Sequence, residues 1–327
     1  MRSVKLYQYS LPMDSGVILR NQRLATREGW IIELNDGDMQ AFGEVAPLPE
    51  FSEETFEQAG QQLQQILNQW VNRQPELTDL YPSVAFGFSM AKLELANGLP
   101  AEANYRVAPL CSGDPDELVE RLSEMSGDKV AKIKVGMYEA VRDGMVANMF
   151  LEAIPELKLR LDANRGWTPL KSQQFAKYVN PQYRDRIAFI EEPCHTPEQS
   201  LHFAEETGIA IAWDETVRDE GFIVKADPRV SAIVIKPTLV GSIAYCLTLI
   251  EQAKSLGLDV VISSSLESSL GLTQLARFAQ WQLPEMVPGL DTMQLFQSQL
   301  VTAWPDCSLP ITTLEQLTLA YQQNETV

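Results

Sequence analysis

Leu159 to Trp167 reads "LRLDANRGW". The run Leu157, Leu159, Leu161 alternates with Lys158 and Arg160, as a strand does, and then closes on Asp162. An ionised carboxylate at the end of an apolar run is costly to bury unless something compensates it. The event recurs in "AFIEEPC" at Glu191 and in "AIAWDET" at Asp214. Three such acids ask for one shared explanation.

Working outward, strand-like runs recur from about residue 106: "RVAPLCSG", "DKVAKIKVG", "LKLRLDAN", "RIAFIEEP", "GIAIAWDE", "VSAIVIKP", "LDVVISSS" and "EMVPGLDT". With Cys111, Lys134, Asp162, Glu191, Asp214, Lys236, Ser263 and Gly289 as their ends, successive ends lie 23, 28, 29, 23, 22, 27 and 26 residues apart. That spacing fits a strand plus a returning helix. "SGDPDELVERLSEM" opens as a helix start on Asp114, Pro115 and Glu117, and "TPLKSQQFAKYV" follows the third strand. Eight regular units without a Gly-x-Gly-x-x-Gly turn predict a parallel (β/α)8 barrel rather than an open dinucleotide-binding sheet. Residues 1–100 read differently: "SVKLYQYSLPM" and "GWIIELNDGD" as strands, with an Asp36-Gly37 turn, then helical "SEETFEQAGQQLQQILNQWVNR". The expected division is an α+β capping domain over 1–100, a barrel over 101–305, and an extension over 306–327 whose tail returns to the first domain.

Composition narrows the function. The 327 residues carry 44 Asp and Glu against 26 Lys and Arg, a net charge of −18, which repels phosphate backbones and anionic membrane surfaces. No nucleic-acid or membrane partner is expected, and no run approaches a membrane span. The first residues lack the apolar core of a signal peptide, so a cytoplasmic location is the default. A small-molecule substrate and a monomer complete the expectation. Cys111, Cys194, Cys246 and Cys307 are too scattered for a zinc site or disulfide framework and read as reduced packing residues. With only His195 and His202 as histidines, acid–base chemistry has to come from other groups.

In a parallel barrel, functional groups gather at the C-terminal strand ends. Here those ends carry Lys132 and Lys134, then Asp162, Glu191 and Asp214, then Lys236. Three neighbouring carboxylates repel, by about 4 kcal/mol per pair at 4 Å and an effective dielectric near 20, so they protonate or recruit a cation. All-oxygen ligation favours Mg2+, with Mn2+ as a substitute. Strand parity puts Lys132 and Lys134 on one face, and a lysine beside a divalent ion and another lysine is pushed toward neutrality, where it serves as a base. A cation flanked by amine bases suits removal of a proton next to a carboxylate. Asn164 stands in line to assist Asp162. Parity cannot choose between Glu191 and Glu192.

The ordered set "KIK", "DAN", "EEP", "DE" and "IKP" resembles the enolase superfamily, in the branch with two lysine bases; its lysine-and-magnesium enolate chemistry is an established precedent. With "GEVAPLP", "PSVAFG", "VAKIKVGMYEAVRDGM", "FIEEPC" and "ISSSLESSLGLTQLAR", the chain resembles over nearly its whole length the proteobacterial o-succinylbenzoate synthase family. The resemblance implies a magnesium-dependent syn-dehydration of 2-succinyl-6-hydroxy-2,4-cyclohexadiene-1-carboxylate to o-succinylbenzoate through an enolate, a step of menaquinone biosynthesis. It makes Asp162, Glu191 and Asp214 the metal ligands, Lys134 the base and then acid, Lys236 the enolate-stabilising cation and Lys132 an electrostatic aid. Asn164, Arg160, Ser263, Ser265 and Gly289 are the substrate-binding candidates, and the loop near Asp14 to Thr26 is expected to close over substrate. An N-acylamino acid racemase of the same superfamily and a catalytically silent magnesium-binding scaffold are the alternatives.

Overall fold

The computed structural model describes every residue but Ser15, Arg20, Asn21, Ser112 and Val327. Part of the Asp14–Thr26 loop expected to close over substrate therefore lies outside the described residues. Two compact units emerge, one of Met1–Tyr105, Lys236–Thr248 and Ile262–Val327, the other of Arg106–Ile235 and Leu249–Val261.

The first unit begins with β1 (Arg2–Pro12), the short pair β2 (Ile18–Leu19) and β3 (Gln22–Arg23), then β4 (Thr26–Asp36) and β5 (Met39–Val45). β4 and β5 pair from Trp30↔Val45 to Asp36↔Met39, turning through Gly37 at φ 63°, a conformation glycine adopts without the penalty of a Cβ. Helix α1 (Phe56–Val71) starts at Thr55, whose hydroxyl accepts from Gln58 N–H while the Gln58 side chain accepts from Thr55 N–H. Its buried Ala59, Leu63, Ile66, Leu67 and Trp70 keep a three-and-four spacing and join Val4, Leu6, Ile32 and Leu34 of the sheet in one apolar cluster. Helix α2 (Pro82–Leu95) lies so close to β5 that a Cβ on Gly43 would stand 2.1 Å from Gly87 O.

The second unit carries β6 (Leu110–Cys111), α3 (Pro115–Ser123), β7 (Val130–Lys134), α4 (Ala140–Ala153), β8 (Lys158–Asp162), α5 (Pro169–Lys177), β9 (Ile187–Glu191), α6 (Pro197–Thr207), β10 (Ile211–Trp213) and β11 (Val230–Ile235). After α7 (Pro237–Val240) and α8 (Ile243–Ser255) comes β12 (Asp259–Ile262). These seven strands form one sheet in chain order, with β6 to β11 paired in parallel, each to the next. Strand, helix and adjacent parallel strand repeated in order is the modified (β/α)8 pattern, here joined to an N-terminal α+β part. Asp114 caps α3 by accepting Asp116 N–H at 2.8 Å, and Thr168 caps α5.

Two expectations need correction. Asp214, Lys236 and Ser263 each lie one residue beyond their strands. No eighth strand forms at Gly289: a single parallel bridge joins it to Ser263, with Gly289 N–H donating to Ile262 O and Ser264 N–H to Gly289 O. Pro288 removes the donor a longer ladder would need. The chain then returns to the first unit through α9 (Ser269–Gln282), β13 (Gln299–Leu300), β14 (Ile311–Thr312) and β15 (Thr318–Asn324), which pairs antiparallel with β1. All four cysteines are free. Among the described residues no helix is long and apolar enough to cross a membrane.

Candidate active site

Strand β8 is covered on both sides, as a barrel strand must be. Leu157, Leu159 and Leu161 are buried in the apolar cluster that also holds Phe150 of α4 and Phe175 of α5. On the opposite face Arg160 and Asp162 are buried too. The register sets Lys132, Arg160 and Phe189 side by side, and two residues further along it sets Lys134 beside Asp162 and Asp162 beside Glu191. Glu191 pairs in turn with Ala212, so Asp214, two residues on, continues the same face of β10. Asp162, Glu191 and Asp214 are 3%, 3% and 2% exposed, a degree of burial carboxylates tolerate only with compensating partners.

The two lysines of β7 have different surroundings. Lys132 Nζ stands 3.0 Å from Asp162 Oδ2 and 2.9 Å from each carboxylate oxygen of Glu191. It is held between two buried acids. Lys134 is exposed, and its side chain has no hydrogen-bond or ionic partner among the described residues. Beneath this layer the Arg160 guanidinium lies 5.7 Å from the centre of the Phe189 ring. Burial pushes it down to about 10, against the opposing pull of Glu191 and Asp259, and it stays charged at neutral pH.

The register gives the adjacent glutamates different surroundings. Glu191 faces Asp162 and Lys132, whereas Glu192, fully buried at φ 26°, turns to the loops. Its carboxylate accepts Asp214 N–H at 3.0 Å, Thr216 N–H at 2.6 Å, the Thr216 hydroxyl at 3.0 Å and Arg165 Nε at 2.6 Å. Asn164, predicted to bind substrate, is exposed and donates its backbone N–H to Asp162 Oδ1 at 3.1 Å.

The remaining predicted residues belong to the first unit. Lys236 follows directly on β11 and caps α7, its carbonyl accepting Leu239 N–H at 2.8 Å. Ser263 Oγ donates to Gly289 O at 3.2 Å, while Ser265 Oγ is buried without a hydrogen-bond partner among the described residues. This segment is held by residues that sequence reasoning did not single out. Buried Arg27 donates to Leu266 O, Ala46 O and Pro47 O, and Glu267 accepts Ser265 N–H at 2.6 Å and the Thr238 hydroxyl at 2.5 Å. Burial raises the Glu267 carboxyl above its ordinary range, opposed by the Thr238 hydrogen bond.

Three buried carboxylates with no histidine or thiolate beside them are the donor set of a hard divalent cation. Their residues fit such an ion in kind and in strand order. Among the described residues no three acidic, histidine or cysteine side chains already stand at ligating spacing, and Lys132 is the counter-charge between Asp162 and Glu191.

Comparison with known proteins bears on this arrangement. Residues 1–95 match the "MenC, N-terminal domain" family and residues 115–309 the "Enolase C-terminal domain-like" family. A protein of Aliivibrio salmonicida named o-succinylbenzoate synthase is 66% identical over 325 residues, covering 98% of this chain and 100% of that one. The chain belongs to the o-succinylbenzoate synthase family. A second member, from Proteus mirabilis, is 62% identical over 99% of this chain and 100% of its own. Membership makes the chain an enzyme, a hydro-lyase of the enolase superfamily. Solved structures agree on the fold: MenC from Desulfotalea psychrophila superposes with a TM-score of 0.71 at 21% identity, covering 92% of this chain and 96% of that one. The o-succinylbenzoate synthase of Thermosynechococcus elongatus, complexed with magnesium in its active site, superposes with a TM-score of 0.71 at 22% identity, covering 90% and 94%.

Proposed function

We propose that this enzyme converts 2-succinyl-6-hydroxy-2,4-cyclohexadiene-1-carboxylate to o-succinylbenzoate by syn loss of water, using magnesium, in menaquinone biosynthesis. The observation that carries the reading is the contrast on β7, where Lys132 is held by two carboxylates and Lys134, on the same face, has no partner among the described residues. Asp162, Glu191 and Asp214 would hold the cation, and manganese is the expected substitute. When bound, the ion supplies positive charge that offsets the negative charge developing on the substrate carboxylate as the adjacent proton leaves.

The chain's own groups do the rest. Lys134, in its amine form, takes the proton from the carbon bearing the carboxylate. It then returns a proton to the hydroxyl on the neighbouring carbon, which departs as water while the ring double bond forms. Proton and hydroxyl leave from one face, so a single residue serves both steps. Lys236, which by strand parity continues the face of Ala232 and Val234 on β11, acts as a fixed cation, and Lys132 keeps Asp162 and Glu191 apart. Arg160, Asn164, Ser263, Ser265 and Gly289 remain the residues proposed to contact substrate. The net charge of −18 and the free cysteines support a cytoplasmic enzyme that binds neither nucleic acid nor membrane, and a monomer is the form proposed.

The test is incubation of purified protein with the cyclohexadiene and magnesium, following aromatisation by ultraviolet absorbance. Lys134→Arg should lower the rate by about 10²- to 10⁴-fold, the usual contribution of a general base, while Lys236→Arg keeps charge and retains partial activity. Efficient racemisation of an N-acylamino acid without aromatisation would replace this reading with the racemase one.

A further inference from the structure

We infer that Glu192 is the positioning residue that sets the three proposed metal-holding acids relative to one another, with Arg165 as its anchor. The inference rests on the metal reading above and adds a residue to it.

The geometry is that of a knot at the ends of three strands. Glu192 Oε1 accepts the N–H of Asp214 at 3.0 Å and of Thr216 at 2.6 Å, which fixes the turn beyond β10 from which the Asp214 side chain projects. Glu192 Oε2 accepts Arg165 Nε at 2.6 Å and the Thr216 hydroxyl at 3.0 Å, and Arg165 Nη2 also donates to Thr216 Oγ1 at 2.8 Å. Arg165 belongs to the loop after β8, whose Asn164 N–H holds Asp162 Oδ1. The main chain adds Arg165 N–H to Glu192 O at 3.0 Å and Glu192 N–H to Ala212 O at 3.1 Å. Every acid of the proposed site is thereby within three residues of a group that Glu192 or Arg165 holds.

Backbone strain marks the same place. Asn164, Arg165 and Glu192 have φ of 44°, 56° and 26°, a region that costs a non-glycine residue of order 1 kcal/mol or more and persists only where the surroundings enforce it. A carboxylate making charge-assisted bonds to backbone amides and a guanidinium is such an enforcer. A merely structural role would hold the loops together without regard to what Asp162 and Asp214 do. The positioning role requires that loosening the knot changes the affinity of the acids for a cation.

The experiment is calorimetric titration of the full-length protein with MgCl2, alongside thermal unfolding in EDTA. Glu192→Gln keeps the volume but removes the charge and sets its NH2 group against either the Asp214 and Thr216 amides or the Arg165 guanidinium, so magnesium should bind about 10- to 100-fold more weakly, the range usual for residues that orient metal ligands. At saturating magnesium kcat should recover more than half of its value, with the loss appearing in the magnesium concentration required. Arg165→Met, at a partly exposed position that leaves the buried carboxylate in place, should weaken binding in the same direction, and Arg165→Lys should restore part of it. Should Glu192→Gln not fold, the Arg165 pair decides. Unchanged magnesium affinity in these variants, in an assay where Asp214→Asn weakens it, overturns the positioning role alone. If Asp214→Asn is also without effect, the metal reading fails and this inference with it.

Discussion

At Lys132 one ammonium sits within 3.0 Å of two buried carboxylates. Each contact is worth about 5 kcal/mol at an effective dielectric near 20, before the cost of taking three charges out of water is subtracted. Lys132→Met should therefore destabilise the protein by about 3 to 5 kcal/mol in urea unfolding with EDTA, because two acids are left facing each other. Magnesium at about 100 times its Kd should return about 2.7 kcal/mol. Destabilisation below 1 kcal/mol would mean that the acids are neutral without their partner. Lys132, Asp162 and Asp214 stood out in the sequence because charge interrupting an apolar strand is expensive and so conspicuous, and Glu191 was singled out from its neighbour by the resemblance alone. Glu192 did not stand out, since a doubled glutamate gives no parity and its partners lie on other loops. Arg27 gave no signal at all: two of the carbonyls it holds are 239 and 238 positions away.

For the elements, β5 and α2 touch through glycine. A Cβ on Gly87 would stand 2.3 Å from Glu44 O, a main-chain atom that cannot swing aside. Gly87→Ala should cost about 1 to 3 kcal/mol by overpacking despite the better helix propensity of alanine, measured by chemical denaturation. A stabilised variant would show that α2 can retreat from the sheet. Strand β15 supplies a pH test. The hydrogen bond from Arg73, followed by the Arg2 N–H, holds the Glu325 carboxyl down to about 2, below its ordinary 4.5. A lowered folded-state pKa stabilises above the unfolded value, and that contribution fades as pH falls from about 4.5 to about 2. The Tm difference between the parent and Glu325→Gln should shrink across that interval; a constant difference would exclude the pair as its source. Periodicity and spacing revealed β1, β4, α1, α3, α5 and the strands β6 to β12, but not β5, α2 or β15. They could not reveal that Pro288 reduces the eighth strand to one bridge, because an apolar run of the right length reads as a strand whether or not its amides have partners.

The whole molecule is threaded discontinuously. The first unit takes residues from both ends of the chain and from Lys236–Thr248 in between, while the second is interrupted by that same stretch. Within the first unit, buried Glu44 of β5 accepts Tyr9 Oη–H at 2.6 Å, Ser268 N–H at 2.9 Å and Gly271 N–H at 2.8 Å, so an N-terminal strand caps α9. Ser89 Oγ likewise accepts Ile243 N–H at 2.9 Å. A fragment of residues 1–105 keeps its apolar cluster but strands the buried charges of Arg27 and Glu44, and it should unfold by urea with a broad transition rather than a cooperative one. A sharp transition would show that the later stretches are dispensable. Synthesis on the ribosome follows from the same threading. The N-terminal strands emerge first, yet the α9 segment that uses Glu44 as its cap is translated more than 220 residues later. At about 5 to 20 residues per second the nascent first unit waits on the order of tens of seconds for its last partners, an interval in which a chaperone that shields sheet edges would raise the yield of active enzyme.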